Sequence, residues 1–313
     1  MMLSRLVAAL PGARLVGADV DVRALTHDSR RVTPGTLYVA LRGRTVDGLR
    51  FAPAAVAAGA VAVAVPADAV VDLACPVVYL TSPRADLARL AGALHGDPSG
   101  RLMLVGVTGT NGKTTVTTLL AGIARAAGWP EGLIGTIEHR VGTERRPAAH
   151  TTPEAPDLHA LLAEIALAGA PMAVMEVSSV GLEEHRVAGL RFAAVAFLNL
   201  TEDHLDYHGG MDAYGESKGR LFVELADPRT IAVINVDDPF GAALAATPQP
   251  GTVWRLSAAA GADAEVAWRD LTLDADGLRG TLVTPRGPLS LRSPLLGAFN
   301  AANVAAAAAL AAA

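Results

Sequence analysis

The sequence predicts an α/β protein with a small N-terminal α/β domain over residues 1–98 and a P-loop-type central domain over 99–313, whose sheet is mostly parallel with a few antiparallel strands. Three observations carry this. Short apolar runs alternate with helical stretches along most of the chain, as strand–helix–strand units require. One of those runs passes directly into the glycine-rich stretch Gly106–Thr115, GVTGTNGKTT. At 313 residues, 51% hydrophobic and 18% charged, the chain can also bury two substantial cores.

In the first domain the strands are Thr36–Leu41, Ala60–Val65 and Pro76–Leu80, with a helix over Ala52–Ala58 and another from Ser82-Pro83 to Leu94. Ser82 reads as the helix N-cap and Pro83 as its first residue, because proline loses nothing where the backbone N–H has no helical partner. His95–Gly100 reads as a linker. The run RLMLVGVT that follows suits a strand buried on both faces, and a helix over Gly112–Ala127 comes after the glycine loop. Further strands fall in Met172–Val177, Phe192–Leu200 and Thr230–Asp238, separated by helices at Leu158–Ala168 and Tyr214–Leu225. From Ala264 onward the segments are shorter and divided by glycine turns, which predicts antiparallel pairing. GAFNAANVAAAAALAAA then opens a helix that stops without a cap.

Composition narrows the function. A net charge of −5 with scattered arginines gives no nucleic-acid-binding face and points to small-molecule partners. Cys75 is the single cysteine, so there is no internal disulfide and a reducing compartment fits; as a side chain it reads as a small buried apolar residue. MMLSRLVAALPGARLVG makes a poor signal peptide, and no apolar stretch spans a membrane, so a cytoplasmic protein is expected; an oligomer is not indicated.

Ligands of parallel sheets bind beyond the carboxyl ends of the strands, where the notable groups of this chain fall. In Thr108, Gly109, Thr110, Asn111, Gly112, Lys113, Thr114 and Thr115, the glycines allow backbone amides to face phosphate oxygens and the next helix offers its positive end. Lys113 supplies charge to the outer phosphates and the Thr114 hydroxyl can ligate magnesium. Val107 stands where the strict phosphate-loop pattern has its first glycine. Glu176 ends an apolar strand, where an unpartnered carboxylate would be costly, so a magnesium ligand is expected. Asp203, His204, Asp206 and His208 crowd the end of the next strand, either as ligands and nucleotide contacts or as a polar loop with helix caps.

Lysine is used only twice, at Lys113 and Lys218, against 24 arginines (26 Lys+Arg minus two). A guanidinium stays charged, whereas a buried lysine can lose its proton and add carbon dioxide to become a carbamate, an anionic oxygen ligand. Lys218 is a candidate for that chemistry.

Taken together these motifs resemble the Mur ligase family, and within it the members that add the third residue of the peptidoglycan stem peptide. TGTNGKTT, HTTPEAPDL, MEVSSVGLEEHRV, FLNLTEDHLDYHG, the Lys218 segment, NVDD and GAFNAANV follow the family's order, and HDSRRVTPGTLYVALRGRTVDG is similar to its UDP-binding segment. The resemblance implies a UDP-binding N-terminal domain and a central ATPase domain. ATP phosphates would be held by Thr108–Thr115, and two magnesium ions by Thr114, Glu176, His204 and Lys218 as a CO2-derived carbamate; Lys113, Glu176, His204 and Lys218 would be catalytic. His27, Ser29, Arg44, Thr45 and Val46 would meet the uridine diphosphate, and Thr151, Thr152, Ser178, Glu184 and Arg186 the muramoyl-dipeptide. An arginine fork such as Arg186 suits a carboxylate or pyrophosphate, and a surface ion pair suits it equally.

The implied reaction is ATP-dependent amide-bond formation between UDP-MurNAc-L-Ala-D-Glu and a diamino acid (meso-diaminopimelate, LL-diaminopimelate or lysine) through an acyl phosphate. The sequence departs from the family pattern at Val180, in place of a histidine, and at Glu184, in place of a glutamine, where a carboxylate would repel an anionic substrate unless turned toward an arginine. The family's C-terminal amine-binding domain has no counterpart in the sequence, so nucleotide binding with impaired ligation is expected. Two other readings stand beside it: another ligase of the superfamily, such as a folylpolyglutamate or cyanophycin synthetase, and a non-catalytic nucleotide-binding fragment.

Overall fold

Residues 1–43, 46–259 and 261–313 are described by the computed structural model and divide into two units. The first comprises Met1–Pro98 with Glu154–Ala163 and Glu184–Gly189, the second Ser99–Pro153 with Glu164–Glu183 and Leu190–Ala313.

The first unit is built on helix α1 (Leu3–Val7), strands β1 (Arg14–Val16), β2 (Ala24–Thr26) and β3 (Thr36–Val39), helix α2 (Ala52–Ala57), strands β4 (Ala60–Pro66) and β5 (Val77–Leu80), and helix α3 (Pro83–Leu94). Its sheet has the order β1-β5-β4-β3-β2, parallel except where β1 meets β5. The alanine–valine alternation of β4 places side chains on both faces into apolar cores, one with Leu3, Leu6 and Leu90, the other with Tyr38, Ala52 and Ala55. α3 begins where Pro83 predicts, but the Ser82 hydroxyl makes no capping bond. The Ser82 N–H donates instead to Asp86 Oδ2 at 2.9 Å, a carboxylate one position beyond that of a capping box, and Asp86 is held in turn by Arg89 at 3.1 Å.

The second unit carries strands β6 (Met103–Thr108), β7 (Glu131–Ile134), β8 (Glu138–Gly142), β9 (Glu144–Pro147), β10 (Met172–Glu176), β11 (Ala194–Phe197), β12 (Ile231–Asn235), β13 (Thr252–Ser257), β14 (Val266–Trp268), β15 (Thr272–Asp274), β16 (Gly277–Thr284) and β17 (Gly287–Ser293). The helices of the remaining chain are α4 (Lys113–Ala126), α5 (Ala155–Leu167), α6 (Ser179–Glu183), α7 (Leu205–His208), α8 (Met211–Val223), α9 (Pro239–Ala246) and α10 (Ala298–Ala312). The strand order is β15-β16-β14-β13-β12-β11-β6-β10-β7-β8-β9, with β17 beside β16. Pairing is parallel from β14 through to β7 and antiparallel at both edges.

The strands after residue 264 pair antiparallel with one another, as their glycine turns predict, while β14 also pairs parallel with β13. The β8–β9 hairpin was not legible in EHRVGTERRP, because edge strands that expose charge read like a polar loop. β6 sits between β10 and β11, so the chain leaves it in one direction and returns on its other side. That reversal opens a crevice beyond its carboxyl end. The core under it joins Val105, Val107 and Val116 to the buried alanines of α10, each fully buried valine contributing roughly 1.5–3 kcal/mol. Small side chains let α10 pack closely on α4. Among the described residues no helix is long and apolar enough to cross a membrane.

Candidate active site

The loop from Thr108 to Thr115 lies in that crevice. Gly112 ends it at φ +88°, a left-handed conformation open to glycine, and a Cβ there would collide with Asn303 Oδ1. The neighbouring loop clamps it: Asn111 N–H donates to Asn199 Oδ1 at 2.8 Å, Asn199 Nδ2 returns to Asn111 O at 3.1 Å, and Thr110 N–H meets Asn199 O at 3.0 Å. The Thr108 hydroxyl is buried without a hydrogen-bond partner. Asn111, Gly112, Thr115, Asn199, Asn235 and Asn303 line a cavity of about 530 Å3 that Phe299, 72% exposed, also borders.

Lys113 Nζ donates to Gly109 O at 2.8 Å and Thr110 O at 2.9 Å. Burial pushes its pKa below the ordinary lysine value, against the pull of Glu176 and Asp203. Lys218, on α8 and 1% exposed, donates to the same Gly109 O at 3.0 Å, and its ammonium lies 4.2 Å from the ring centroid of Tyr214. Burial, with the positive charge of Lys113 adding to it, lowers Lys218 to about 7, and Asp203 opposes the shift. Tyr214 is anchored by its hydroxyl, 3.2 Å from Thr110 Oγ1.

Glu176 ends β10 beside this loop with 1% exposure and accepts from Thr114 Oγ1 at 3.0 Å. It also accepts from Thr136 N–H and Thr136 Oγ1, both at 2.9 Å. Thr152 donates its hydroxyl to Glu176 O and accepts from Ser178 N–H, each at 2.9 Å, while Thr151 Oγ1 lies 3.0 Å from Thr136 Oγ1. Thr114, Glu176, Thr151, Thr152 and Ser178 are therefore brought together. Thr136 and Tyr214 were missed in the sequence, although Thr136 follows the apolar run of β7, the same strand-end signal that marks Glu176.

His204 stands apart from this group. It is half exposed with left-handed backbone at φ 52°, its Nε2 is 3.5 Å from Asp203, and its ring stands edge-on to Tyr214 at 6.3 Å. Among the described residues no cluster of three or more His, Cys, Asp or Glu side chains could hold a metal. The hard oxygen donors of Glu176 and Thr114 beside a phosphate loop nevertheless fit magnesium, which takes few protein ligands and completes its shell with phosphate and water.

In the first unit, Ser29 begins a 3-10 turn capped by Asp28, and burial pushes His27 below the ordinary histidine value against the pull of Glu154, 3.9 Å from its Nε2. Val46 is exposed; Arg44 and Thr45 lie outside the described residues. Glu184 is turned toward an arginine, its carboxylate pairing with Arg84 Nε, while Arg186 NH2 pairs with Glu154 at 2.6 Å. The two arginines and two glutamates alternate, leaving the group without net charge.

A parallel sheet whose central strand opens into a glycine–lysine loop, with a carboxylate at the end of the adjacent strand, defines a nucleoside-triphosphate-binding fold of the P-loop type. Residues 107–311 match the profile described as Mur ligase middle domain, and residues 21–95 that described as Mur ligase family, catalytic domain. The chain belongs to the Mur ligase family. It is 45% identical over 291 residues to the UDP-N-acetylmuramoyl-L-alanyl-D-glutamate--2,6-diaminopimelate ligase of Gloeobacter violaceus, covering 92% of this chain and 58% of that protein. The ligase of the same name from Geobacter metallireducens is 45% identical over 294 residues, covering 92% of this chain and 57% of that one. A solved structure of such a ligase superposes with a TM-score of 0.80 at 29% identity, covering 98% of this chain and 63% of that one. The chain thus spans somewhat over half the length of these relatives.

Proposed function

We propose that the chain is the nucleotide- and UDP-sugar-binding part of an ATP-dependent ligase that joins a diamino acid, diaminopimelate by the relatives' names, to UDP-MurNAc-L-Ala-D-Glu in the cytoplasm. The observation that carries this is the contact between the phosphate loop and Glu176 through Thr114. Residues 1–98 form the UDP-sugar domain and 99–313 the ATP domain. Thr108–Thr115 cradle the phosphates, with Lys113 turning from its loop carbonyls to the outer phosphates.

Thr114 and Glu176, with His204 and a carbamate on Lys218, would hold magnesium. Bound there with the nucleotide, the ion would supply charge neutralisation to the phosphates. A carboxylate oxygen of D-Glu attacks the terminal phosphorus and releases ADP; the diamino acid's amine then attacks the acyl carbon, expelling phosphate and losing a proton as the amide forms. His27, Ser29, Arg44, Thr45 and Val46 receive the uridine diphosphate, and Thr151, Thr152, Ser178, Glu184 and Arg186 the dipeptidyl-muramoyl part.

Calorimetric titration of the chain with ATP and Mg2+, and separately with UDP-MurNAc-L-Ala-D-Glu, tests the assignment. Saturable one-to-one binding of both is expected, with ATP binding lost in Lys113→Met. Binding of neither ligand to a folded chain would sink it.

A further inference from the structure

Thr136 lies outside the phosphate loop and outside the stretches from which the family resemblance was read, yet it makes two of the three bonds to the Glu176 carboxylate. Its N–H reaches Oε1 and its hydroxyl reaches Oε2, each at 2.9 Å, while Thr114 reaches Oε1 from the loop side at 3.0 Å. Both carboxylate oxygens are thereby fixed.

The same hydroxyl lies 3.0 Å from Thr151 Oγ1, and proton bookkeeping decides the direction of that bond. A carboxylate oxygen only accepts, so the single hydroxyl proton of Thr136 is committed to Glu176. Thr151 must therefore donate to Thr136, and the chain of donors runs Thr151, Thr136, Glu176. When Thr114 swings its hydroxyl to a cation, Thr136 is the group that keeps the carboxylate aimed. Thr136 is itself exposed, so replacing it empties no core.

We infer that Thr136 is a positioning residue that orients Glu176 toward a divalent cation and couples that carboxylate to Thr151. The inference rests on the reading of Glu176 as the magnesium carboxylate. Groups that orient a metal ligand typically account for 10- to 100-fold in metal affinity, and Thr136 keeps its backbone bond whatever its side chain, so the lower end applies.

The test is a titration of the chain with Mn2+ in the presence of a non-hydrolysable ATP analogue, read by electron paramagnetic resonance, with analogue binding also measured without metal. In Thr136→Val the Mn2+ affinity should fall about tenfold while metal-free analogue binding is unchanged, and Thr136→Ser should behave as wild type. Thr151→Val should weaken Mn2+ binding less, and should add nothing in the Thr136→Val background. Unchanged Mn2+ affinity in Thr136→Val, an equal loss of metal-free binding, or additive effects of the two valines would each overturn the inference. If the wild-type chain bound the analogue but showed no Mn2+ binding, the metal role of Glu176 would fall first and this inference with it.

Discussion

Lys113 and Lys218, the only lysines of the chain, donate to one carbonyl oxygen, Gly109 O, at 2.8 and 3.0 Å. A carbonyl has lone pairs for both, but two ammonium groups converging on it repel in a buried setting. Burial and that repulsion lower Lys218 to about 7.

A lysine depressed in the folded state sheds its proton on folding, so stability rises with pH between the folded value near 7 and the ordinary 10.5. In buffer free of carbon dioxide, the melting temperature of the wild-type chain should rise between pH 7 and 9.5 relative to Lys218→Met, which has no such group. Adding 13C-bicarbonate at pH 8 should then give a carbamate resonance that is absent from Lys218→Met and fades below pH 7. A flat difference between the two proteins, or a resonance that persists in the variant, would remove Lys218 from this role.

Gly112→Ala meets two obstacles at once, a positive φ and Asn303 Oδ1. Either relaxation, of the loop or of α10, opens the cavity that both line. ATP affinity should fall at least tenfold, while Gly122→Ala in the same helix, where a Cβ meets open space, should leave it unchanged. Equal affinities in the two variants would show that the loop tolerates a side chain.

Much of this site was legible because its chemistry is written in local patterns. A glycine–lysine loop after an apolar run, and a glutamate closing another, are signals that survive without a structure. Thr136 shares only the strand-end position: a threonine there, unlike a carboxylate, costs nothing unpartnered and so draws no notice until Glu176, distant in sequence, folds beside it. The Arg84–Glu184 pair is hidden for the same reason, and so is the exposed position of His204, which its crowded acidic motif did not foretell. Ser82 is the N-cap that the serine–proline signal predicts, but its hydroxyl makes no capping bond, and the carboxylate that takes its N–H instead lies four residues on.

His159 is 2% exposed on α5, and neither of its ring nitrogens has a hydrogen-bond partner. Burial, with a smaller push from His95, lowers it to about 4, against the pull of Asp97. The folded state therefore refuses a proton that the unfolded chain takes up near pH 6.5, and stability falls as pH drops from 6.5 toward 4, by on the order of 3 kcal/mol. His159→Leu removes the two unpaired nitrogens and should flatten that loss without destabilising the protein at pH 7.5. Urea unfolding at pH 7.5 and pH 5 measures this; an equal acid loss in both proteins would assign the sensitivity elsewhere.

In the proposed binding mode Glu184 puts a carboxylate beside an anionic dipeptidyl sugar, and its pairing with Arg84 offsets that charge. Arg84 also stands 3.8 Å from Glu154, which holds Arg186 at 2.6 Å, so removing Arg84 takes one cationic partner from Glu184 and one from Glu154. The pair is only partly buried, with side-chain exposures of 30% and 18%, so screening limits the effect. Arg84→Met should weaken binding of UDP-MurNAc-L-Ala-D-Glu about tenfold, near 1.4 kcal/mol. Glu184→Gln alone should bind at least as well as wild type, and combined with Arg84→Met it should recover most of the loss, because the repulsion disappears along with the charge. Calorimetric affinities of the four proteins close the cycle. If the double variant stays as weak as Arg84→Met, Arg84 contacts the ligand itself and does more than mask Glu184; if Arg84→Met binds normally, the pair has no part in recognition.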